Sequence, residues 1–222
     1  MRLLRFSLLL SALLPLTLEA QQWSASVATG PFVFGDFARR TFRLTTEDGA
    51  AEHTLALSAG TRAGLNVGIE RNLGQRWGLG VQGTFTRAPL TVKGDDGDGT
   101  ETNAGDVDVA TIALPIVFHI NRNGNVRFHV FAGPAHAAYR VSDKVDGTTG
   151  VPVFDGTRNT WGLMAGARVT WRVSDRFALE GAIDDIVTRS PYEKNEIPGG
   201  GSRVVIPRPH NVHTAVGVRW AF

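Results

Sequence analysis

The chain has 222 residues, with 23 Lys and Arg against 21 Asp and Glu, and no Cys. That length allows one domain or two small ones. The near balance of charge leaves no basic excess for nucleic acid, and the missing cysteines exclude a disulfide framework.

The first element is MRLLRFSLLLSALLPLTLEA. Arg2 and Arg5 form a basic start, the run from Phe6 to Leu18 is a short apolar core, and Ala20 offers a small residue for cleavage. This pattern is expected to be a secretory signal peptide over residues 1–20, too short for a stable membrane-spanning helix. Residues 21–222 then form the folded domain, with 21 basic and 20 acidic residues once Arg2, Arg5 and Glu19 are removed. No later window holds 18 consecutive apolar residues, so no spanning helix is expected.

From there the chain alternates apolar and polar positions with period 2, the mark of half-buried strands. Eight segments emerge in order: 23–34, 54–70, 77–92, 107–120, 126–141, 158–173, 177–188 and 210–222. The second, Thr54–Glu70, reads TLALSAGTRAGLNVGIE, with one face from Leu55 to Ile69 apolar but for Thr61. The gaps alternate in length. NLGQR (Asn72–Arg76), NRNGN (Asn121–Asn125) and SDR (Ser174–Arg176) are tight and rich in turn formers. The gaps 35–53, 93–106, 142–157 and 189–209 are long and rich in Gly, Asp, Thr and Pro. Alternating short and long gaps put all short turns at one end of an antiparallel sheet and all long loops at the other. The expected fold is all-β: an eight-stranded antiparallel up-and-down transmembrane barrel with short periplasmic turns and long outer loops. A hydrocarbon band of ~25 Å crossed by tilted strands needs roughly 10 residues per strand, and every segment supplies them.

The aromatic residues sharpen this reading. Trp23, Trp77, Trp171 and Trp220 flank the short-turn end, joined by Phe118 and Phe177, while Trp161 lies ten residues before Trp171 on the same face. That spacing fits two interfacial girdles, one membrane thickness apart. Asp108, Arg87 and His136 fall about ten residues from the short-turn end, where an outward polar group reaches the outer interface. Asp184 and Asp185 are adjacent, so one of them faces outward. Pro115 and Pro134 interrupt two strands expected to pair, and a local bulge is the expected accommodation.

The last residues, HTAVGVRWAF, resemble the C-terminal signature of the eight-stranded outer-membrane barrels, the family of the OmpA transmembrane domain and the OmpX-like proteins. Gly217, Trp220 and Phe222 match its assembly signal, although Ala215 stands where a polar residue is preferred. ALPIVF (Ala113–Phe118) and VFAGP (Val130–Pro134) also resemble strand motifs of that family. The resemblance covers the chain from about residue 21 to 222. It implies the Gram-negative outer membrane as location, and contact with outer-membrane lipids, including lipopolysaccharide. It also implies insertion by the outer-membrane assembly machinery after escort by periplasmic chaperones. The chain is expected to be monomeric, without a nucleic-acid partner and without the peptidoglycan-binding domain that follows some barrels of this kind.

On the inward faces the alternation places Arg62, Glu70, Arg127, His129, Arg168, Arg172, Glu180, Asp184 and Arg219. An eight-stranded barrel is just wide enough for side chains to fill it, and opposite charges inside must pair. Arg62, Arg168, Arg172, Glu180, Asp184 and Arg219 are therefore expected to form an ionic network that blocks conduction. A narrow ion channel or porin-like pore is the alternative. His210 and His213, three apart on a strand, face opposite sides and make no chelating pair. No metal, cofactor or catalytic set is expected, since H-E-x-x-H and G-x-S-x-G are both absent and His136 has no Ser two residues away on its strand. A lipid-modifying enzyme is thus a weaker reading, and the Trp girdles and terminal Phe222 set a soluble lipocalin-like barrel behind the membrane barrel. Gly94–Asp108 is an acidic loop without the spacing of a calcium loop. The last loop, with Arg189, Lys194, Arg203 and Arg208, suits lipid phosphates.

Overall fold

The computed structural model describes residues 23–46, 49–94, 101–121, 124–142, 154, 156–193 and 203–222. The expected signal peptide, residues 95–100 of the acidic loop, most of 142–157, and Lys194 and Glu196 lie outside them. The strands are β1 (Trp23–Phe34), β2 (Asp36–Thr46), β3 (Gly49–Ala59), β4 (Arg62–Asn72), β5 (Trp77–Gly94) and β6 (Glu101–Ala113). They continue with β7 (Ile116–His119), β8 (Val126–Ser142), β9 (Thr157–Arg172), β10 (Phe177–Thr188), β11 (Arg203–Val205) and β12 (His210–Ala221).

The wall closes in the order β1, β4, β5, β6 with β7, β8, β9, β10, β12 and back to β1, every pair antiparallel. Because β6 and β7 are two halves of one wall strand, this is an eight-stranded barrel. Closure satisfies the backbone of every wall strand, as a hydrocarbon surround demands. At the seam, Trp23 and Phe222 exchange backbone hydrogen bonds of 3.2 and 2.9 Å. Gly217 lies in that seam facing inward. A Cβ there would stand 2.2 Å from the Val27 carbonyl oxygen and 2.5 Å from the Ala28 Cα, so only glycine lets the two strands meet.

Two expected features differ. The segment 35–53 is not an irregular loop. It forms most of the β2–β3 ribbon, which extends the wall past its outer end and is flanked by β11 on one side and the upper part of β5 on the other. The long alternation of 54–70 also splits at Gly60. Ala59 pairs with Leu90 but Gly64 pairs with Thr86, which puts one extra residue on this side. Such a bulge reverses the facing of all that follows. Leu57 and Ala59 are consequently buried, while Leu65, Val67 and Ile69 are exposed on the outer surface. Pro115 and Pro134, by contrast, create no bulge. Ala113 pairs with Ala135 and Ile116 with Ala132, an unchanged offset, so Pro115 only removes a donor from the ladder.

The interior is layered. At the outer end, Phe32, Phe34, Phe37, Leu57, Leu90, Val107, Val109 and Tyr139 form an apolar plug. Two further bulges feed it. The β2–β3 register shifts between Asp36 and Ala38, and the β5–β6 register between Leu90 and Thr91, leaving Phe37 and Ala104 fully buried. Below lies a smaller apolar layer of Val117, Phe131, Met164 and Ile186. Charged side chains occupy the end near the short turns.

Candidate functional site

The charged lattice is built from inward positions of four wall strands, β4, β9, β10 and β12. Glu70 Oε2 accepts from Arg168 at 2.9 Å and from Arg219 at 3.1 Å. Glu180 Oε2 accepts from Arg219 Nε at 2.7 Å and lies 3.4 Å from Arg168 Nε. Two carboxylates and two guanidiniums thus form a closed four-membered lattice of balanced charge. Arg219 also donates to Ser24 Oγ at 2.7 Å, and the Arg168 guanidinium stacks 5.0 Å from the Phe131 ring centroid. His119 extends the lattice, with Nε2 3.5 Å from Glu70 Oε1 and Nδ1 2.7 Å from His129 Nδ1. His129 Nε2 in turn meets Thr170 Oγ1 at 3.2 Å. Members this buried hold one another in place, because removing one strands the charge of its partner.

Of the six residues expected in this network, the structure brings together Arg168, Glu180 and Arg219. Arg62 is excluded, since it sits beside the β3–β4 bulge, exposed, and donates to the Thr61 carbonyl at 3.2 Å. Arg172 lies nearer the short turns, exposed at the barrel mouth beside Arg127. Asp184 is inward but one layer higher, where its partner is His213 at 3.6 Å, both fully buried, with the imidazole stacked on Phe32. His119 was not among the residues expected here, although as the neighbour of the outward Phe118 it is inward by the same alternation. Also unforeseen is the bridge in the upper lumen, where the Tyr139 hydroxyl contacts Thr188 Oγ1 at 2.9 Å and accepts from Asn211 Nδ2 at 2.9 Å.

The outer surface carries the aromatic residues. Trp23, Trp77, Phe118, Trp171, Phe177 and Trp220 point outward at the short-turn end, with Trp77 against Phe118 and Phe177 stacked on Trp220. Trp161 points outward near the opposite rim, edge-on to His136 at 4.8 Å. Outward polar groups there are paired: Arg87 Nε lies 3.2 Å from Asp106 and 3.8 Å from Asp108, and Asp185 lies 2.7 Å from His210 Nδ1. Asp185 is therefore the outward member of its pair. His210 and His213 face opposite sides, and no cluster of metal-binding side chains occurs among the described residues.

Solved structures share this architecture. The outer membrane protein OprG from Pseudomonas aeruginosa superposes with a TM-score of 0.61 at 10% identity, over 91% of this chain and 97% of that one. AlkL, solved in lipid bilayers, gives 0.52 at 15% identity over 94% and 93%. The protease OmpT from Escherichia coli gives 0.50 at 13% identity over 94% and 99%. At such identities the likeness is one of fold. No curated protein matches the chain. A family model described as an outer membrane protein beta-barrel domain matches residues 6–219. The chain belongs to the outer-membrane β-barrel family, and its place is the outer membrane.

Proposed function

We propose that this protein is a non-conducting, non-enzymatic outer-membrane barrel that acts through its outer extension. The observation that carries this reading is the filled lumen. A charge-balanced lattice spans the periplasmic half and an apolar plug of Phe32, Phe34, Phe37 and Tyr139 spans the outer half. An eight-stranded wall has little room beyond its own side chains, so among the described residues the outer surface offered for contact is the ribbon of β2, β3 and β11. Arg39, Arg43 and Arg203 share one face of that ribbon, since Arg203 pairs with Thr41 between the other two. This face suits the phosphates of lipopolysaccharide, to which guanidiniums bind in bidentate fashion.

Binding of purified barrel to lipopolysaccharide in detergent tests the reading, measured as salt is raised. Affinity is expected to fall with salt and to weaken on replacing Arg39, Arg43 and Arg203 together by Gln. Salt-independent binding, or binding untouched by the triple replacement, counts against it.

A further inference from the structure

At the periplasmic mouth, just below the charged lattice, a polar cavity of about 110 Å³ opens between the β9–β10 turn, the end of β4 and the start of β8. That is room for a small oxyanion with a water or two, at about 30 Å³ per water. The cavity is lopsided in charge. Arg127 pairs across β8–β9 with Thr170, and Arg172 lies two residues further along β9 on the same inward face. The two guanidiniums are thus diagonal neighbours, with Cα atoms ~7–8 Å apart. Arg176 joins them from the turn.

The lining charges do not balance, with Arg127, Arg172, Arg176 and Arg219 against Glu70 and Asp175. Glu70 lines the same cavity, but its charge is already shared between Arg168 and Arg219. Asp175 lines the same cavity and has a partner of its own. Among the described residues neither Arg127 nor Arg172 forms an ion pair, and the Arg127 Nε is shut off from solvent without a hydrogen-bond partner. Two like charges side by side at the mouth of a cavity are a ready receptor for an anion.

We propose that the mouth binds a phosphate oxyanion between Arg127 and Arg172, drawn from the periplasmic side. Planar guanidiniums present paired N–H donors that match two oxygens of such a group. Inorganic phosphate and the phosphate of an inner-leaflet lipid head group present the same chemistry. The lumen-facing position favours the free anion.

The test is a titration of ¹⁵N-arginine-labelled protein with inorganic phosphate in a non-ionic detergent, following the side-chain Nε–H signals. The expected result is a saturable shift of the Arg127 signal, with affinity reduced about tenfold or more in Arg172→Gln. The Arg127 shift is read in the unaltered chain, so it does not depend on a variant folding. Retention of the heat-sensitive gel shift certifies the variant. A shift seen only in nanodiscs containing phosphatidylglycerol also supports the site and assigns its phosphate to a lipid. No saturable shift in either setting, or equal affinity in a folded Arg127→Gln/Arg172→Gln variant, overturns the proposal.

Discussion

Replacing Glu70 by Gln changes one charge and almost no volume, and the lattice predicts a large response. The carboxylate holds Arg168 at 2.9 Å and Arg219 at 3.1 Å, with Glu70 and Arg168 both almost fully buried. After the change, two guanidiniums share the single carboxylate of Glu180. Breaking a buried ion pair from one side costs about 3–5 kcal/mol. With a denaturant dependence of about 2 kcal/mol/M, the urea midpoint falls by about 1.5–2.5 M. Tryptophan fluorescence of barrels in phospholipid vesicles reads this midpoint. Arg39→Gln is the control. Its pair with Asp36 is exposed, and the midpoint then moves by no more than about 1 kcal/mol in equivalent energy. Glu70→Gln/Arg219→Gln leaves Arg168 facing Glu180 alone in balanced charge, so it costs less than the sum of its single changes. A loss below about 1 kcal/mol for Glu70→Gln, or additive behaviour of the pair, refutes the lattice as a tightly coupled unit.

Other outcomes follow from the seam and the upper lumen. Gly217→Val pushes a side chain against the Val27 carbonyl and Ala28 Cα, and is expected to lower the heat-modifiable folded fraction sharply. Gly181→Ala, whose methyl would meet Val169 Cγ1 at 3.4 Å, is expected to fold as the parent does. Tyr139→Phe removes the acceptor of Asn211 and the partner of Thr188, both buried, and is expected to cost about 1–3 kcal/mol by urea unfolding.

The sequence carried the wall better than its contents. Segments 23–34 and 177–188 coincide with β1 and β10, because neither contains a bulge and both end in clear turn or loop signals. The C-terminal strand alternates as read from His213 inward to Phe222 outward, for the same reason. Strict alternation states only that neighbours differ, however. It gives no sign of where an extra residue resets the facing. Gly60 resets it silently, which is why Leu57 and Ala59 read as sharing the outward face of Leu65 and Val67 and are buried instead. Pro115 did the reverse: its ring suggested a reset that did not occur. The partner of Asp184 was also illegible, since depth along the barrel depends on strand stagger, which no single strand encodes. Stagger sets Asp184 against His213 rather than against the arginines. The ribbon over 35–53 was missed because its arginines and threonines look like solvated loop residues, although they alternate as an exposed strand pair does.

Current across a planar bilayer tests the central claim most directly. With purified protein inserted at neutral pH, the lattice and the aromatic plug predict a baseline without stable open levels. A steady, ohmic, large conductance from the unaltered chain contradicts the account.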